Sequence, residues 1–173
     1  MNLSPEFVLL GLLYDHPRHG YELHLVVQRE FGHVWYISQS QVYNIINRLT
    51  NQGFLETERL PGEGTPERTL LHLTEKGKAH FENWLKTPTR AGTQAIRVEF
   101  VTRVAFAREK FPQLLPSILS DQKNLVRDQI KKLEDQYAAL KDDSMADQIA
   151  MELRIRSLKD ILKWITELST RYA

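Results

Sequence analysis

Between Ser38 and Asn51 the chain sets out Gln39, Ser40, Gln41, Tyr43, Asn44, Asn47 and Arg48. Hydroxyl, amide and guanidinium groups of this kind hydrogen-bond phosphates and base edges. Not one carboxylate occurs in the 25 residues between Glu30 and Glu56, in a chain that holds 22 Asp and Glu among its 173 residues. Val42, Ile45, Ile46 and Leu49 recur at helical spacing inside the same window, so the polar residues fall on the opposite face. The pattern predicts a helix over about 39–51 laid in a DNA major groove. Gln39, Gln41, Asn44 and Asn47 are placed at base edges, and Ser40, Tyr43 and Arg48 at the sugar–phosphate backbone, with Ser38 at the helix start. A merely solvated, amide-rich face is the competing reading.

A second candidate is the stretch from Arg59 to Arg68, where Arg68 could meet flanking phosphates or the minor groove. Glu63 and Glu67 in the same stretch oppose that role, and a structural Arg68 paired with a local acid is the alternative. A third is a set of aromatic residues, Trp35, Trp84, Phe100 and Trp164, joined by Tyr36, Phe106 and Tyr172, which could line an effector pocket. Core or interface packing is their commoner use.

Catalytic patterns do not form. His16, His19, Glu22 and His24 lack the H-E-x-x-H spacing of a zinc helix. Gly62-Glu-Gly64 is too short for a phosphate loop and joins strands rather than opening a helix. With no cysteine, thiolate catalysis, disulfides and Cys-ligated metals are excluded. The expectation is a chain without enzymatic activity, cofactor or metal.

The elements that must hold these residues can be read from the same string. Ser4-Pro5-Glu6 predicts the N-cap and first turn of a helix over about 4–15 carrying Phe7, Leu10, Leu13 and Tyr14. Asp15 to His19 reads as a turn. A second helix over about 20–31 presents Tyr21, Leu25 and Phe31 and stops at Gly32. Ser38 and Gln41 have the spacing of a capping box, and Gly53 that of a helix-ending C′ glycine. Strands over 54–60 and 68–73 flank a turn-rich tip, and Thr74 caps a fourth helix over about 75–86 with Ala79, Phe81, Trp84 and Leu85 on it. Three helices, a hairpin and a helix make the order of a winged helix-turn-helix over 1–87.

Lys86 to Thr93 reads as a linker. Beyond it Val98, Val101, Ala105 and Phe106 pattern a helix ended at Phe111-Pro112. Ile118, Leu119, Val126, Ile130, Leu133, Tyr137 and Leu140 then mark a long helix, broken at Asp142 to Ser144. Met151, Ile155, Leu158, Leu162, Ile165, Ser169 and Tyr172 mark another. The steps of 3 and 4 are those of a coiled-coil seam, and each stretch is long enough for about 28 residues of helix. An intermolecular twofold partner is the simplest cover for such stripes, so residues 94–173 are expected to be a helical dimerisation domain. The fold class is therefore mainly α with a small β-hairpin.

Composition agrees. Residues 1–90 hold nine Lys and Arg against ten Asp and Glu, and the whole chain is net +1, so no long-range pull on a polyanion is expected. No apolar run approaches the roughly 20 residues of a membrane span, and no signal peptide is evident, which predicts a cytoplasmic protein.

These residues also carry a resemblance. Leu9-Leu-Gly-Leu-Leu-Tyr14 with His19-Gly-Tyr-Glu-Leu23, the run from Ser38 to Leu55, and Gly64-Thr-Pro-Glu-Arg-Thr69 leading to Leu73-Thr-Glu-Lys-Gly77 resemble the PadR family of transcriptional regulators. The second half is similar to the virulence-gene-activator subgroup through Trp84-Leu-Lys-Thr-Pro88 and Arg97-Val-Glu-Phe100. The resemblance implies a winged helix, a C-terminal helical dimerisation domain, and action at palindromic promoter DNA, in some members switched by a small molecule. It also implies that Tyr43 and Arg68 meet the DNA backbone. Leu70-Leu71 stands where many relatives have aromatics, so no wing aromatic is carried over. A protein-interaction module that docks its partner through the long helices is the alternative function.

Overall fold

The computed structural model describes residues 5–60, 68–139 and 145–172, which fall into two compact units, Met1–Lys86 and Thr87–Ala173. In the first, α1 (Glu6–Leu12) is followed by a two-residue strand β1 (Arg18–His19), then α2 (Gly20–Phe31), α3 (Gln39–Asn51), β2 (Leu55–Leu60), β3 (Arg68–Leu73) and α4 (Glu75–Lys86). The strands form one antiparallel sheet in the order β1-β3-β2. β1 corrects the turn expected at Asp15–His19. Two residues cannot show an alternation, and the pairing of Arg18 with Leu71 and His19 with Leu70 comes from a strand fifty residues away.

α1 is buried nearly all round, through Val8, Leu9, Leu10, Gly11 and Leu12. It starts one residue later than the sequence suggests, because Pro5 takes the N-cap position, and the expected cap Ser4 lies outside the described residues. Tyr14 donates to Glu82 on α4; burial and that carboxylate push its phenol up to about 12, so it remains a donor throughout the physiological range. In α2 the inward stripe is Leu23, His24, Val26, Val27 and Phe31. Tyr21 and Leu25, expected on it, are 56% and 45% exposed. On α4, Phe81, Trp84 and Leu85 are buried but Ala79 is exposed.

α3 begins with both halves of the capping box: the Ser38 hydroxyl accepts from the Gln41 N–H at 3.3 Å, and Gln41 Oε1 accepts from the Ser38 N–H at 2.8 Å. It ends at Gly53, whose φ of 73° is one a side chain would strain. Thr74 fastens the corner that follows. Its hydroxyl donates to the Gly53 and Phe54 carbonyls and accepts from the Gly77 N–H. Gly77 then lies so close that a Cβ there would come within 2.3 Å of the Phe54 carbonyl oxygen.

The second unit runs α5 (Thr93–Ala95), a π turn (Ile96–Phe100), α6 (Val101–Lys110), a short 3-10 turn (Pro112–Leu114), α7 (Leu115–Ala139) and α8 (Met145–Tyr172). α7 and α8 pack on each other. Lys159 on α8 pairs with Glu134 on α7 at 2.7 Å, while Leu162 shares a depression with Ile130 and Lys131, so the two run antiparallel. Val126, Ile130 and Leu133 are buried on α7, as are Ile155, Leu158, Ile165 and Leu168 on α8. This corrects the argument that the stripes need a partner copy, since much of each is covered within the unit. Ala105 is exposed on α6, and Leu140 and the break at Asp142 to Ser144 lie outside the described residues.

The linker is fastened to this unit. The Gln122 side-chain amide makes two bonds with the Thr89 backbone, accepting from its N–H at 2.7 Å and donating to its carbonyl at 2.7 Å. Arg103, 1% exposed, donates to the Thr89 hydroxyl and to Glu99 at 2.8 Å. Burial draws its guanidinium below the usual arginine range, and Glu99 opposes that shift.

Two outcomes follow from the first unit. Gly77→Ala must displace the Phe54 backbone, and we expect a loss of about 1–3 kcal/mol, measured as a lower urea midpoint at unchanged m-value. Ser38→Ala should cost about 1 kcal/mol and Ser38→Gly only a few tenths, with faster hydrogen exchange at the Gln41 amide in both.

Candidate nucleic-acid interface

The orientation of α3 decides which side chains can meet a ligand. Val42, Ile45, Ile46 and Leu49 are 0–6% exposed and turn one side of the helix into the core. At about 100° per residue, the line opposite them runs through Ser40, Asn44, Asn47 and Asn51, all exposed. Tyr43 forms one shoulder of this line and is 42% exposed. Arg48 and Gln41 form the other. Gln39 lies farther round on the Tyr43 side, about 100° from the centre. Of the residues expected at base edges, Asn44 and Asn47 are thus central, and Gln39 and Gln41 are lateral. Gln41 also spends its Oε1 on the capping box, and Ser38 its hydroxyl.

Beside the Tyr43 shoulder lies a cleft of about 710 Å³, walled by the start of α2, by α3 and by the sheet. His19, Tyr21, Tyr43, Asn47, Thr50 and Thr69 line it. His19 Nδ1 lies 2.9 Å from the Thr69 carbonyl oxygen, which ties the N-cap of α2 to β3. Thr57 stands opposite Leu71, and Arg59 opposite Thr69, so these four share one face of the sheet. Arg59, the first residue of the candidate stretch that runs to Arg68, is exposed on that face. The cleft itself could have been suspected from His19-Gly-Tyr21, but Thr50, Thr57 and Thr69 join it only through folding.

Arg68 opens β3 opposite Leu60, and its side chain lies outside the described residues, as do Glu63, Glu67 and Gly62-Glu-Gly64. The Arg48 guanidinium, expected on a phosphate, is ion-paired with Glu6 of α1. The gap in carboxylates along the sequence is therefore closed in space, by a residue forty-two positions upstream.

The aromatic candidates divide between the units. Trp84 is stacked on Phe7 at 4.6 Å and tilted against Phe81, inside the first core. Trp35 is half-buried in the same unit. In the second, Phe100 is buried and meets Trp164 edge-on at 6.1 Å, and Trp164 is 38% exposed. Among the described residues no three His, Asp or Glu gather as a metal site, and no described helix is long and apolar enough to cross a membrane.

The model of the transcriptional regulator PadR-like family matches residues 9–83, from α1 into α4. The chain is 26% identical over 136 residues to the negative transcriptional regulator PadR of Bacillus subtilis, covering 78% of this chain and 74% of that protein. It is 22% identical over 180 residues to a probable transcriptional regulator of Mycobacterium tuberculosis, covering 95% of each. Among solved structures it is similar to Bacillus subtilis PadR in complex with operator DNA, with a TM-score of 0.49 and 20% identity over 97% of this chain and 98% of that one. Over residues 9–83, the chain is thus similar to the PadR-like family of transcriptional regulators.

Proposed function

We propose that the chain is a sequence-specific regulator that binds double-stranded DNA as a homodimer, each α3 entering the major groove of one half of a palindromic operator. The observation that carries the reading is the outward line of α3: Ser40, Asn44, Asn47 and Asn51, hydrogen-bonding and uncharged, with the apolar stripe directly behind it. Side-chain amides pair bidentately with adenine and hydroxyls with several bases, so Asn44 and Asn47 are the base readers. Tyr43, Arg48 and the wing arginines Arg59 and Arg68 position the backbone.

Residues 1–87 are the reading head in this proposal and residues 94–173 the dimerisation domain. Met145, Ile149 and Leu153 support the second assignment. They are 77%, 56% and 65% exposed at steps of four on α8, an apolar line that the chain does not cover in its described residues. The virulence-gene-activator likeness, carried by Trp84 to Pro88 and Arg97 to Phe100, spans the end of α4 and the start of this half. A candidate effector site narrows to the exposed side of the Phe100–Trp164 pair, since Trp84 is occupied by Phe7 and Phe81.

Enrichment of source-genome fragments by the purified protein at about 150 mM salt tests the reading. A palindromic motif with half-sites about one helical turn apart is expected. Flat enrichment, together with a monomer in sedimentation, would favour a protein-docking role for the long helices. On the enriched site, Asn47→Ala should lose about 1–3 kcal/mol of discrimination at one base position while random DNA is bound as before. With four to six phosphate contacts per dimer, log K against log salt should fall with a slope of about −4 to −5; a slope steeper than about −9 would contradict so cation-poor a surface.

A further inference from the structure

We propose that Glu6 is an internal stand-in for a DNA phosphate, held against Arg48 to limit how strongly the reading head grips DNA of any sequence. This rests on the reading of α3 as the DNA-contacting helix. The head is unusual for a polyanion binder in its charge, with nine Lys and Arg against ten Asp and Glu over residues 1–90. Within α3 the single formal charge is Arg48. The stretch from Phe31 to Leu55 is free of carboxylates, yet the fold returns one to that cation from α1.

The placement suits competition rather than permanent burial. Arg48 is 49% exposed on the shoulder of the reading line, so a phosphate can approach it from solvent. Glu6 is 20% exposed and sits in the first turn of α1, a position that favours an anion through the helix dipole. Exposed ion pairs are individually weak, so the pair can open when a phosphate arrives. Opening it costs part of what the phosphate contact gains. The same Arg48 would otherwise add one counterion-releasing contact for every head, without regard to base sequence. Glu6 therefore lowers the electrostatic, sequence-blind share of affinity, and leaves Asn44 and Asn47 a larger part in deciding where the protein stays.

The test compares the full chain with Glu6→Gln, Arg48→Gln and the double variant on a random duplex and on the enriched operator, from 50 to 300 mM salt. Glu6→Gln should bind the random duplex about ten-fold more tightly at the lowest salt, with a log–log slope steeper by about 1–2 for a two-headed complex. The double variant should match Arg48→Gln alone, in slope and in affinity. An unchanged or shallower slope for Glu6→Gln, with the parent still binding DNA, overturns the inference. So does weaker binding at every salt with a lowered Tm, because that is what a purely structural pair would give. Failure of the parent to bind any duplex, by contrast, removes the reading of α3 beneath it.

Discussion

Everything proposed for this protein depends on the rotational setting of α3, and four side chains fix it. Val42, Ile45, Ile46 and Leu49 occupy one side of the helix and are almost fully withdrawn from water. At about 25 cal/mol per Å² of apolar surface, burying four such side chains outweighs any preference on the polar face. A turn of the helix by one residue would rotate it by about 100° and expel part of that stripe. The reading line therefore has no freedom of its own; it is the complement of a packing problem. The capping box fixes the start of the helix and Gly53 its end, so length as well as phase is set locally.

Local determination is also why so much of the fold was legible. α2, α3, β2, β3 and α4 follow from period, caps and turn residues that lie within a few positions of each other. What escaped was non-local. β1 exists only because β3 pairs with it, and no two-residue segment can announce that. The spacing of α7 and α8 marks apolar seams, but spacing alone cannot tell a neighbouring helix of the same chain from a copy as the partner of such a seam. The exposure of Tyr21, Leu25 and Ala79 has the same origin: an apolar residue at helical spacing is a candidate for the core, and the neighbouring elements decide.

The candidate site divides along the same line. Asn44, Asn47 and Tyr43 could be placed from α3 alone. Gln39 and Gln41 were harder, since the capping box and the angular position of each residue have to be considered together. The Arg48 environment was out of reach, because its counter-charge lies forty-two residues away and enters through the packing of α1 beside α3. The cleft is of this kind too: Thr50 comes from α3, and Thr57 and Thr69 from two different strands.

The fastening of Thr89 bears on how such chains diversify. Only Thr87 and Pro88 lie between the last residue of α4 and the first residue held by Gln122 and Arg103. The apparent linker of eight residues is thus mostly a part of the second unit, with the Thr89 backbone N–H and carbonyl already committed. Recombination that exchanges one reading head for another has a narrow seam in which to fall. A crossover at Thr87 or Pro88 would carry each unit away whole, whereas one a few residues later would strand Arg103 beneath a segment that no longer offers it a hydroxyl.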